Sequence, residues 1–236
     1  MTQPTAPDSI LGFITGPSVS FFFMHSVLNL FGNDVRGRFA NSWVLTFGPY
    51  IHANRNDLQR QFMDTGRDWL LSVDNDIVFT PGDVYALYDE ADKRGPGIYH
   101  GSYILENGFQ VCGVWNDEEP FVYHNLVKLP EKPTEIGVVG MGFTLVHREV
   151  FEATGPNAFW PVNGFNSGED LSFSWRAREA GYTPILVPAV NVGHQKINTL
   201  YTSGQMRNSI GDDMNLVELD PELKELNREL MEEVKS

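Results

Sequence analysis

Trp69-Leu70-Leu71-Ser72-Val73-Asp74-Asn75-Asp76 decides how the rest of the chain reads. A short, near-continuous apolar run of this kind matches a strand buried on both faces, as at the centre of a parallel sheet. It stops abruptly in two carboxylates. In open α/β sheets ligands lie in the crevice beyond the carboxyl ends of the strands, so Asp74 and Asp76 fall where a site is expected. Apolar Ile77-Val78-Phe79 follows, and Thr80-Pro81-Gly82-Asp83 opens a helix with Val84, Leu87 and Tyr88 facing inward. Lys93-Arg94-Gly95-Pro96-Gly97 ends it.

Upstream, residues 10–15 read as a strand stopped by Gly16-Pro17, with Ser18 as cap of a helix running through His25 to about Phe31. Residues 43–47 form a second strand. Leu58, Phe62 and Met63 then share one face of a helix over residues 56–65, closed by Gly66. Downstream, residues 98–105 and 109–115 read as a strand pair joined at Glu106-Asn107-Gly108. A strand over 135–139 and the turn Gly140-Met141-Gly142 lead into a strand over 143–147 and a short helix over 148–153. After a glycine- and asparagine-rich loop at 163–168 comes a helix ending at Gly181, then a strand over 183–188. Val190-Asn191-Val192-Gly193-His194 delivers a histidine beyond its end. Strands alternating with helices give an α/β fold, a mixed and mainly parallel sheet flanked by helices in a single domain. The expected organisation is an N-terminal tail over 1–9, the catalytic body over 10–195, a mobile lid over 196–215 and a C-terminal helix over 216–236. That helix carries Leu223, Leu226, Leu230 and Val234 at helical spacing, a face for the body or for a second copy in a homo-oligomer.

Composition bounds the class. A chain of 236 residues with 42% hydrophobic and 12% aromatic residues can close a sizeable core, which excludes disordered and collagenous proteins. The single Cys112 excludes a disulfide framework and points to a reducing compartment, the cytoplasm. No apolar run reaches the roughly 20 residues of a membrane span, and no basic leader precedes the first apolar stretch. A formal net charge of -14 argues against a surface that tracks a polyphosphate. Only Arg36, Arg38, Arg55, Arg60 and Arg67, gathered into one strip, would serve a DNA acceptor.

Paired carboxylates at the end of a buried strand need neutralising, and a hard divalent cation bridging to a diphosphate does so. Mg²⁺ or Mn²⁺ needs only two or three protein ligands there, and an imidazole favours Mn²⁺. His194, after a strand and beside Gly193, is a candidate third ligand. Glu169-Asp170 opens a helix beside a glycine-rich loop, where an acidic pair also complements the helix dipole. A carboxylate mounted there can accept the proton of an attacking hydroxyl.

These residues in this order, with Val139-Gly-Met-Gly-Phe143, Arg148, Gly168-Glu169-Asp170, Trp175, Arg176, Gly181-Tyr182, Pro188 and Val192-Gly193-His194, resemble a GT-A fold glycosyltransferase. The likeness covers roughly residues 10–195. The pattern Gly-Glu-Asp followed by Val-Gly-His is similar to the catalytic half of polypeptide N-acetylgalactosaminyltransferases and to the wider inverting nucleotide-sugar transferases. The resemblance implies a nucleoside-diphosphate sugar donor, UDP-sugar favoured, with Mn²⁺ or Mg²⁺ held by Asp76 and His194. It implies Asp74 at the ribose or the metal shell, Thr15 and Pro17 at the base, and Arg55 near the nucleotide or its phosphates. Glu169 and Asp170 would face sugar and acceptor, Asp170 as the base of an inverting reaction, and Lys196 and Tyr201 would close over the diphosphate. Compact transferases of this kind resemble bacterial and bacteriophage proteins whose acceptors include surface glycans, proteins and hydroxymethylated DNA bases. The Gln-x-x-Arg-Trp motif of processive synthases is absent. A nucleotidyltransferase on the same Asp-x-Asp site is the alternative, although Gly12-Phe-Ile-Thr-Gly-Pro-Ser18 lacks the basic residue of a phosphate loop. A noncatalytic sugar-binding or assembly protein is the other.

Overall fold

The computed structural model describes residues 7–16, 19–39, 41–105, 108–116, 121–162 and 168–195, with the backbone of three short strands beyond. It divides into two units, residues 1–194 and 195–236. In chain order the first unit runs β1 (Ser9–Thr15), α1 (Phe21–Gly32), β2 (Trp43–Phe47), α2 (Ile51–Asp64), β3 (Trp69–Asp74), β4 (Ile77–Val78), α3 (Pro81–Arg94), β5 (Ile98–Ser102), β6 (Cys112–Trp115), β7 (Tyr123–Asn125), β8 (Thr134–Glu135), β9 (Val138–Val139), β10 (Phe143–His147), α4 (Arg148–Thr154), α5 (Glu169–Glu179), β11 (Ile185–Asn191) and β12 (Gly193–His194). The second unit contributes β13 (Asn198–Leu200), β14 (Met206–Asn208) and β15 (Leu216–Val217), an antiparallel set.

The main sheet has the order β2-β1-β3-β10-β5-β11-β8. β1, β2 and β3 are parallel, β10 runs against both β3 and β5, and β5 and β11 are parallel. All strands but β10 and β8 therefore point one way, and the sheet is mixed and mainly parallel, as the sequence predicts. Strand period places alternate β3 residues on opposite faces. Leu71 and Val73 pack with Phe23, Val27 and Leu30 of α1 and Leu87 and Tyr88 of α3, whereas Leu70 joins Phe62 of α2, Phe151 of α4 and Phe173 of α5. Ser72 and Asp74 share the parity of Leu70 and so face α2. The one polar residue inside the apolar run is thus aimed at a helix rather than at solvent.

Several boundaries differ from expectation for physical reasons. The cap of α1 is Ser20, whose hydroxyl accepts from Phe23 N, and Ser18 lies outside the described residues. α2 begins at Ile51 because buried Asn54, Arg55 and Asn56 extend its inner face into the sheet and loops, and no apolar periodicity marks that stretch. The expected hairpin over 98–115 does not form as a strand pair. β5 enters the main sheet while β6 joins β7 and β9 in a second one, and only the bridge Ile104↔Gln110 survives of the hairpin. The strand expected over 135–139 splits at Ile136-Gly137 into β8, on β11, and β9, on β6. The expected lid contains β13 and β14, and the expected C-terminal helix opens on β15; its residues from 218 onward lie outside the described residues. Among the described residues no helix is long and apolar enough to cross a membrane.

Candidate active site

The parallel strands end along one edge of the main sheet, and antiparallel β10 begins there. Topology alone thus gathers Thr15, Asp74 and the Gly140-Met141-Gly142 turn. Thr15 closes β1 with its hydroxyl donating to Gly16 O. Pro17, Lys196 and Tyr201 lie outside the described residues. Just past the edge, β4 and β12 pair antiparallel with His194 opposite Ile77, which carries the histidine across 118 residues of chain to the side of Asp76.

His194 Nε2 lies 3.2 Å from Asp76 Oδ2, and its Nδ1 lies 2.8 Å from the carbonyl oxygen of Ile104. A carbonyl only accepts, so Nδ1 carries a proton, and Nε2 is the ring nitrogen that faces the carboxylate. Metal-bound histidines are held in this way, with the other ring nitrogen donating to a backbone carbonyl. The separation is close to the ~3 Å between adjacent vertices of an octahedron whose ligands stand about 2.1 Å from the ion. Among the described residues no group of three or more His, Cys, Asp or Glu side chains is assembled to hold a metal. A hard cation held by two side chains alone would have to take its other ligands from phosphate oxygens and water.

Asp74 is engaged elsewhere. Arg55, only 2% exposed, donates from Nη2 to Asp74 Oδ1 at 2.6 Å and from Nη1 to Ser72 Oγ at 3.2 Å. Ser72 Oγ in turn donates to Met141 O at 2.9 Å. Burial alone would lower the guanidinium pKa, but Asp74, Asp170 and Glu169 outweigh it and the group is held above its ordinary value. Arg55 therefore works inside the fold as the counter-charge of three acids, and the guanidinium expected near a donor phosphate is packed away from solvent. Three further arginines of the expected basic strip are likewise paired with acids. Arg36 pairs with Asp89, Arg38 with Asp8 and Asp92, and Arg60 with Asp57.

The glycine turn is packed against Tyr103, a residue that the sequence reading passed over. Gly142 N donates to its hydroxyl at 2.9 Å, and a Cβ at Gly142 or Gly140 would stand 2.4 or 2.6 Å from that oxygen. The Tyr103 ring meets His194 edge to face, with centroids 5.3 Å apart. Tyr103 and Ile104 together therefore hold the turn and the histidine. The only advance signal was position, since both follow a strand aimed at the same edge.

Glu169 and Asp170 form the first turn of α5 after Gly168. Asp170 Oδ2 accepts from Met141 N at 3.2 Å, while Oδ1 is buried with no partner among the described residues. Loss of water raises the Asp170 pKa to about 7; Glu169 and Asp74 push the same way, and Arg55 and the Met141 N–H oppose them. Both acids line a cavity of about 300 Å³ with Val111, Tyr123, Asn125 and Gly140. The contacts of Met141 and the long reach of Arg55 thus connect this acid pair to the end of β3.

No protein-family model matches the chain, and no curated protein matches it in sequence. Solved structures do match in shape. A197 from STIV is similar over 90% of this chain and 99% of its own, at 15% identity and a TM-score of 0.56. GalNAc-T7, crystallised with UDP, GalNAc and Mn²⁺, is similar over 81% of this chain at 12% identity and a TM-score of 0.56. This chain spans 44% of the length of the GalNAc-T7 chain. At such identities the likeness establishes the fold, which is of the GT-A glycosyltransferase type.

Proposed function

We propose that the chain is a cation-dependent glycosyltransferase, moving a sugar from a UDP-type nucleoside-diphosphate sugar to an acceptor hydroxyl. The observation that carries this reading is the β4–β12 pairing, which brings His194 Nε2 to 3.2 Å from Asp76 Oδ2 at the carboxyl edge of the sheet. Asp76 and His194 would hold Mn²⁺ or Mg²⁺, with the imidazole favouring Mn²⁺. Such an ion supplies positive charge to the departing diphosphate.

The chain's own groups do the rest. The Ile104 carbonyl keeps a proton on His194 Nδ1, so Nε2 is the nitrogen that would ligate the ion. Asp170 is the general base. Its Oδ2 is occupied by the Met141 N–H, so Oδ1 takes the proton of the attacking hydroxyl, and a pKa near 7 suits that transfer at neutral pH. Glu169, in the same cavity, orients sugar hydroxyls. A base separate from the Asp76–His194 pair is what inversion requires. A glycan or protein hydroxyl suits the acceptor side better than a DNA base, because four of the five arginines expected to bind DNA, Arg36, Arg38, Arg55 and Arg60, are paired with acids.

The test is release of nucleoside diphosphate from a panel of nucleotide sugars with Mn²⁺. The expected result is release from one donor class, lost with chelator and reduced by about 10²-fold or more in Asp76→Ala. Release from no donor, or an Asp76→Ala variant equal to wild type, would overturn the reading. Pyrophosphate release from a nucleoside triphosphate would instead favour nucleotidyl transfer.

A further inference from the structure

A second cavity, of about 330 Å³, lies at the other end of α5, lined among others by Trp115, Glu135, Gly137, Arg178 and Tyr182. Arg178 follows Asp170 by eight residues, about 12 Å along a helix rising about 1.5 Å per residue. The cavity's aromatic lining is Trp115 and Tyr182, and Trp115 packs in turn on a ring outside the lining. Trp115 meets Trp175 edge to face at 5.5 Å, and Phe121 lies on Trp175 at 3.8 Å. Gly137 makes room for the indole of Trp115, since a Cβ there would stand 2.5 Å from its Cδ1.

Three polar groups in this lining are unspent. Trp115 Nε1 is buried and has no hydrogen-bond partner among the described residues. The exposed Arg178 guanidinium stacks 6.0 Å from the centre of the Trp115 ring and 5.6 Å from that of Trp175, yet forms no ion pair with a described residue. Glu135, also exposed, pairs with no described cation either. A cation and an anion that line one cavity with an indole, without joining each other, offer both hydrogen-bond donors and acceptors. That combination suits a neutral ring with C–H groups on its face and hydroxyls around its rim.

We propose that this cavity binds a pyranose unit of a glycan, and that it holds a non-reacting part of the acceptor while the reacting hydroxyl lies at Asp170. The acceptor role rests on the transferase reading; the binding does not. Remote contacts of this kind let an enzyme use binding energy away from the reacting atoms.

The experiment titrates the ¹⁵N-labelled full chain, without nucleotide sugar or cation, against β-1,4-linked tetrasaccharides of N-acetylglucosamine and of glucose and against mannotetraose, following the indole N–H signals. The expected result is a saturable shift of the Trp115 signal with at least one of them. Arg178→Ala, a surface change that spares the core, should weaken it about tenfold, the worth of one hydrogen bond to a charged group. Asp76→Ala should leave it unchanged. No shift with any saccharide, or equal affinity in Arg178→Ala, would overturn the proposal. A Trp115 shift produced by free tryptophan but by none of the saccharides would overturn it as well. Binding with no nucleoside diphosphate release in the assay above would instead overturn the transferase reading and leave the saccharide site standing.

Discussion

A single carboxyl group illustrates how burial sets chemistry. Asp170 keeps its proton to about pH 7 in the folded chain, whereas an unfolded aspartate loses it near ~3.9. Between those values the folded state binds more protons, so the contribution of Asp170 to stability is present below about pH 4 and is lost as pH rises towards 7. Asp170→Asn should flatten that slope in urea denaturation series from pH 4 to pH 8. It should also remove the rising limb of the transfer rate near pH 7 and lower the plateau by ~10²-fold or more. An unchanged rate profile would dismiss Asp170 as the base. Its carboxylate identity and its helix start were legible in the sequence, but its environment was not. The buried Arg55 that offsets it comes from a helix turn that sequence reasoning left outside α2, because arginine there breaks the expected apolar face.

Among the elements, the turn before β10 shows what close packing demands. A methyl group at Gly142 would stand 2.4 Å from Tyr103 Oη, 2.7 Å from its Cζ and 3.0 Å from Asp74 Oδ2. Tyr103, 4% exposed, has no room to turn away. Gly142→Ala should therefore cost about 1–3 kcal/mol in urea unfolding. Gly32→Ala, where the added methyl meets nothing within 4 Å, should be neutral or slightly stabilising. Equal effects of the two would mean that the turn adapts. The strands whose pattern is locally complete, β1, β2, β3 and β10, were readable from residues alone. β5 and β6 were not, since a real turn signal joined them and the bridge Ile104↔Gln110 answers it, yet their ladders go to distant partners. Pairing across long stretches of chain leaves no mark in local periodicity.

For the molecule as a whole, the net charge of -14 is the excess of 31 Asp and Glu over 17 Lys and Arg, spread between the surface and the group Asp74, Asp76, Glu169 and Asp170 near the sheet edge. A ligand that neutralises the latter should stabilise the native state by mass action. Mn²⁺ with UDP at about a hundredfold over its dissociation constant adds ~2.7 kcal/mol, a rise in Tm on the order of 5–10 °C for a chain of this size. Calorimetry should show that rise in the wild type and little of it in Asp76→Ala; equal rises would place the ion elsewhere. The resemblance implies Asp76 and His194 at one site, and the antiparallel step of β12 onto β4 sets the two side by side. The Arg55–Asp74 pair bears on how the protein comes into being. A guanidinium does not give up its proton, so Asp74 at the end of β3 is balanced from the moment the strand and α2 dock. Synthesis in the presence of a chelator should therefore still yield the native sheet, unlike the small domains that stay unfolded until an ion nucleates them.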